Sequence, residues 1–160
     1  MKINEEAEKT EKALAVYRGL TASLDAHDWH YTAVEEQLLI LSDYIGEDFP
    51  IRFFLKIDLA TQNMVFRTTP IVTFPKEKVS DGAIAACVAN HGLAFGLFDF
   101  DLTDGTVCYS LSTYFAGAEF QTDFYFRLLS IALGTVDKYN DRFIMLSKGI
   151  IDIKQFISLE

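Results

Sequence analysis

Cysteine is scarce in this chain. Cys87 and Cys108 are the two present in 160 residues, and they lack the C-x-x-C spacing of a redox pair. That argues against a disulfide framework and against dithiol chemistry, and both are read as reduced thiols, Cys87 as a small buried one. Basic residues are also few, 14 Lys and Arg against 23 Asp and Glu, for a net charge of -9 without a basic patch. Such a surface repels nucleic acid and anionic membranes, so neither is expected as a partner. Long apolar runs are missing as well. The opening MKINEEAEKTEK has no apolar stretch of a secretory signal, and no later window approaches the roughly 18 uninterrupted apolar residues of a membrane span. A cytoplasmic protein is the expectation.

Catalytic and metal-binding signatures are absent too. There is no G-x-S-x-G, P-loop or dinucleotide fingerprint. The stretch from Asp99, DFDLTDG, fails as a calcium loop: Asp104 stands where glycine is obligatory and Ser110 where a bidentate glutamate is needed. Asp99 and Asp101 are read instead as the wet side of a strand, with Asp104 in a turn. His27 and His30 in HDWH, with Asp28 between them, lack a third ligand at a known spacing, so a solvated junction is expected. His91 suits the negative end of a helix dipole. No metal, cofactor or catalytic residue is assigned.

What the chain does have is apolar and aromatic side chains, 50% and 14% of its residues, enough for the core of a single domain spanning 1–160. The segment Phe98 to Leu111 states its own geometry. With Asp104-Gly105 as a two-residue turn, Leu102 faces Val107, Phe100 faces Tyr109 and Phe98 faces Leu111, while Asp99, Asp101, Thr106, Cys108 and Ser110 form a wet face. A second hairpin pairs Ile51 to Leu59 with Met64 to Thr68 around a loop at Ala60 to Asn63. Its dry face holds Ile51, Phe53, Leu55, Ile57, Leu59, Met64, Phe66 and Thr68.

Helical spacing marks residues 4–26, with Asn4 as a cap, and the segment Phe120 to Ser147, stopped by Gly149. Pro75 leads a middle helix to about Asn90, ended by Gly92. Tyr31 to Tyr44 is read as a strand, and residues 150–160 as a short helix docked on the core or a hydrophobic arm. The order of elements predicts an α+β fold, a mostly antiparallel sheet of about five strands with helices on one face.

Two groups of residues stand out as candidate surfaces. Phe54 lies among Arg52, Lys56 and Asp58 on the wet side of its strand, where an aromatic ring suits a contact, and Ile153, Phe156 and Ile157 carry the apolar character of the tail. These four are candidate partner contacts. In the middle helix, Gly82, Ala83 and Ala86 permit close approach, either to the protein's own sheet or to a second subunit, and are candidate dimer contacts.

Trp29 in DWHY, the Ile51 to Thr69 hairpin, Asn90, Gly96 and Phe98 in GLFDFD, and the long helix closing at Gly149 together resemble the YbjN family, over about residues 28–150. That family is similar in fold to the type III secretion chaperones. The resemblance implies a small acidic homodimer that binds another polypeptide or regulates through contact, and it supplies no catalytic residue. A noncatalytic protein-binding or regulatory module is thus the expectation. The alternative is a small-molecule binding or hydrolytic protein whose polar pocket has no sequence signature.

Overall fold

The computed structural model describes residues 2–47 and 49–159. Helix α1 spans Lys2–Ala26. The expected cap at Asn4 lies outside the described side chains. Ala13, Val16, Tyr17, Leu20 and Leu24 form the helix's buried stripe. The helix ends at Asp28, whose φ is +51°. There the Trp29 N–H bonds the Leu24 carbonyl at 3.0 Å and the Asp28 N–H bonds that of Asp25 at 3.1 Å, which are the two bonds of a Schellman ending.

The segment read as one strand is two. β1 (Thr32–Val34) and β2 (Leu39–Ile45) are joined by a 3₁₀ turn at Glu35–Gln37. Leu38 takes a left-handed conformation, φ 48°, which no sequence rule assigns to leucine. β3 (Pro50–Asp58) and β4 (Asn63–Thr68) follow, with Ile57 opposite Met64, Leu55 opposite Phe66 and Phe53 opposite Thr68. The loop runs over 59–62, one residue earlier than expected, which leaves Leu59 exposed while every other residue of the expected dry face is buried. A two-residue strand, β5 (Val72–Thr73), precedes a 3₁₀ turn and helix α2 (Val79–His91).

β6 (Leu97–Phe100) and β7 (Thr106–Tyr114) form the last hairpin in a different register from the expected one. Phe98 stands opposite Tyr109 and Phe100 opposite Val107, a slip of two positions that preserves the faces. A type I′ turn needs positive φ at both central residues, and here Gly105 has it, at +76°, while Asp104 does not. The Asp101 carboxylate instead accepts from the Thr103 N–H at 2.7 Å and the Asp104 carboxylate from the Thr106 N–H at 2.9 Å. These side-chain bonds hold a longer loop, closed by the Gly105 N–H on the Asp101 carbonyl at 2.8 Å. Leu102 is thereby left in the loop, 67% exposed, and Cys108, expected on the wet face, is buried.

Among the described residues all seven strands join one antiparallel sheet, with β4 and β5 on one side of β7 and β6 on the other. The expected five become seven because Tyr31 to Tyr44 divides and β5 is added. Helix α3 (Thr122–Ser147) packs on the same side as α1, and its C-terminus closes at Gly149 in a second Schellman ending, the Ile150 N–H bonding the Met145 carbonyl at 2.9 Å. Helix α4 (Ile153–Ser158) starts with a capping box between Asp152 and Gln155. Phe156 is fully buried against Phe143, ring centres 5.4 Å apart, so the tail docks on the core.

Asn90 joins α2 to the edge strand. Its Nδ2 donates to the Phe98 carbonyl at 3.0 Å and its Oδ1 accepts from the Phe98 N–H at 2.7 Å, standing in for a neighbouring strand. Asn90→Ala leaves both backbone groups unpaired, and chemical denaturation is expected to show a loss of about 2 kcal/mol. A loss within error of zero would mean that water replaces the amide.

Candidate functional site: the uncovered face of the sheet

The helices lie over one face of the sheet, against Ile40, Phe53, Leu55, Phe66, Phe98 and Tyr109. The pleat sends alternate side chains to the other face. Pairing across the strands sets Thr32, Leu41, Phe54, Arg67, Ser110 and Leu97 in one row. Val34, Leu39, Lys56, Val65 and Ser112 form the next. Leu41 is 44% exposed and Leu97 48%, and Phe54 is half-buried between Leu41 and Arg67. An open groove of about 450 Å³ runs past Leu41, Asp43, Arg52 and Phe54.

Leu41 and Phe54 thus form a small apolar patch with polar surroundings, of the kind that marks a contact surface. Arg67 and Ser110 separate it from Leu97. Arg67, next to Phe54 in the row, pairs with Asp99 at 2.8 Å, an exposed pair worth less than about 1 kcal/mol. Beside it, burial raises the Cys108 thiol pKa, which disfavours the reactive thiolate.

The structure separates the residues singled out in the sequence. Phe54 lies on the uncovered face. Ile153 is half-buried on α4, Ile157 is 47% exposed there, and Phe156 points inward as a core residue. On α2, Gly82 and Ala86 are buried and Ala83 is half-buried. A Cβ at Gly82 would overlap the Phe100 ring and lie 2.9 Å from Phe74 Cγ, so the small residues admit the protein's own sheet. The outward positions of this helix are Ile84 and Cys87, both exposed. Cys87 is thus not the buried thiol expected.

The histidine and acidic motifs converge on no metal site: no group of three or more His, Cys, Asp or Glu side chains could hold an ion among the described residues. His27 donates from Nδ1 to the Ser23 carbonyl at 2.8 Å and stacks on Phe126, ring centres 3.7 Å apart. Leu41, Val65 and Leu97 were not singled out in the sequence. The cross-strand register that lines them up with Phe54 depends on pairings between segments distant in the chain.

An antiparallel open sheet with helices on one face makes this an α+β fold. No family model matches the chain, and no curated protein matches it by sequence. Solved structures do match in shape. One is a chain of the ExsC–ExsE complex, at 10% identity and a TM-score of 0.52 over 81% of this chain and 93% of that one. Another belongs to the HopA1–SchA chaperone–effector complex, at 12% identity and a TM-score of 0.53, covering 81% and 95%. At such identities the likeness is one of fold. No helix among the described residues is long and apolar enough to cross a membrane.

Proposed function

We propose that this chain is a noncatalytic module that binds a polypeptide on the uncovered face of its sheet, with YbjN-like proteins as its relatives. The observation that carries the reading is the pair Leu41 and Phe54, apolar neighbours across β2 and β3 on a sheet face that no helix covers among the described residues. The named chaperone–effector complex among the fold neighbours supports it. The residues behind the YbjN resemblance have structural work here. Trp29 Nε1 donates to Ser42 Oγ at 2.9 Å, Asn90 holds Phe98, and Gly149 ends α3.

In a pull-down from native lysate, Leu41→Asp and Phe54→Asp are expected to lose polypeptides that the wild type retains, while keeping its circular dichroism. A charge placed in an apolar contact is expected to weaken capture at least about tenfold. An unchanged set of captured proteins in both variants would contradict the reading.

The homodimer is part of the same proposal, with its surface moved outward on α2 to Ala83, Ile84 and Cys87, because Gly82 and Ala86 already pack inward. Light scattering across a concentration series is expected to give twice the mass of 18.1 kDa, and Ile84→Glu to shift it toward the single-chain value. A single-chain mass for the wild type throughout would remove the dimer.

A further inference from the structure

Pairing across β2, β3 and β4 surrounds Phe54 with cations, in a chain whose net charge is -9. Arg52 and Lys56 stand two residues to either side of it on β3, both exposed, and Arg67 lies directly opposite on β4. Leu41 takes the fourth side. Three of the 14 basic residues thus border one apolar pair, on a face that no helix covers among the described residues.

The carboxylates of this face are placed differently. Asp99 is taken by Arg67 at 2.8 Å. Asp58 closes its own turn, accepting from the Ala60 N–H at 2.9 Å and from the Thr61 hydroxyl at 2.8 Å. Asp43 stands opposite Arg52 without forming an ion pair with it, and neither Arg52 nor Lys56 joins an ion pair among the described residues. Two cations with free N–H donors therefore flank Phe54 and Leu41, about 13 Å apart, four steps of roughly 3.3 Å along the strand.

We propose that the uncovered face receives an acidic segment, with carboxylates four residues apart and an apolar side chain midway. In an extended chain every second side chain points the same way. Such a segment laid along β3 sets one carboxylate on Arg52, its apolar side chain on Leu41 and Phe54, and the other carboxylate on Lys56. The net charge of the chain repels an acidic partner at long range, but a Debye length of about 8 Å at physiological salt screens distant carboxylates more than pairs in contact. Asp43 is then the nearest opposing charge. This segment is a finer description of the polypeptide proposed above, and it requires the uncovered face to be the contact surface.

The test is fluorescence polarisation with the full chain at about 0.15 M salt, using three nonapeptides that carry a neutral dye: GSETLTEGS, and the same peptide with Gln or with Lys at both Glu positions. The Glu peptide is expected to bind about fivefold tighter than the Gln peptide, the worth of two partly exposed ion pairs, and the Lys peptide to bind weakest. Arg52→Gln combined with Lys56→Gln, both on the surface, is expected to abolish that preference, and Asp43→Asn to tighten the Glu peptide but not the Gln peptide. Equal binding of the Glu and Gln peptides, a preference that survives in the double variant, or no binding by any of the three would overturn the proposal. The pull-down with Phe54→Asp separates this from failure of the surface itself: polypeptides lost in that variant but kept by the Arg52→Gln, Lys56→Gln protein leave the contact surface standing and remove its acidic partner.

Discussion

Phe98→Ala is expected to lower the unfolding free energy by about 3–5 kcal/mol, the cost of emptying a buried aromatic site. Phe98 is 2% exposed and sits where the sheet meets α3, its ring centre 5.3 Å from that of Tyr109, 5.2 Å from Tyr139 and 5.0 Å from Phe143. Three of the largest core side chains thus converge on one ring. Their edge-to-face and tilted geometry adds roughly 0.5–1.5 kcal/mol per pair beyond burial. The neighbours cannot close the gap cheaply, because Tyr109 is held by its hydroxyl on the Phe95 carbonyl at 2.8 Å. Urea denaturation measures the effect. A loss below about 1 kcal/mol would place Phe98 outside the core, while Phe98→Leu is expected to lose less than Phe98→Ala.

Gly96→Ala comes second, and its mechanism is different. Gly96 has φ +68°, a region that costs a residue with a Cβ about 1–2 kcal/mol. The new methyl would also overlap Tyr109 Oη and lie 2.8 Å from the Ser110 carbonyl oxygen. Tyr109 is fully buried, so its hydroxyl can yield only by giving up its bond to Phe95. Overpacking of this kind costs about 1–3 kcal/mol, for an expected total of roughly 2–5 kcal/mol. Paired with Tyr109→Phe, the substitution is expected to cost less than the sum of the two alone, since the overlap is with the hydroxyl. Strict additivity in that double-mutant cycle would show that the strain resides in the backbone.

Much of this architecture is legible in the residues because it follows short periods. The alternation of Ile51, Phe53, Leu55 and Ile57 with Arg52, Phe54, Lys56 and Asp58 sorts β3 into its two faces. The 3.6-residue recurrence from Phe124 to Leu146 and the glycine after it give α3 and its end. What escaped depends on single conformations or distant pairings. Leu38 turns left-handed and divides a run that has no glycine or proline to announce it. In the last hairpin the carboxylates of Asp101 and Asp104 compete for backbone N–H groups, and they favour a longer loop over the Asp-Gly turn.

The candidate surface was legible in part for the same reason. Phe54 stands out as an aromatic residue in a charged row of its own strand. Leu41 and Leu97 join it only when β2, β4, β7 and β6 are in register. In the middle helix, small residues signal close approach without saying to what. Phe74 and Phe100 supply the answer by filling the space that Gly82 leaves. The tail divides similarly: helical spacing shows that it is apolar, and contact with Phe143 takes Phe156 into the core and leaves Ile157 outside.

A polypeptide received on the uncovered face of the sheet can be captured there by photo-crosslinking. Photo-reactive benzoylphenylalanine is placed at Phe54, on that face, and in a second protein at Ala22, exposed on α1. Both are irradiated in native lysate. A discrete higher-mass polypeptide adduct is expected from position 54, lost when Leu41→Asp is added, and none from position 22. Adducts from position 22 alone, or from neither position, would contradict binding on that face.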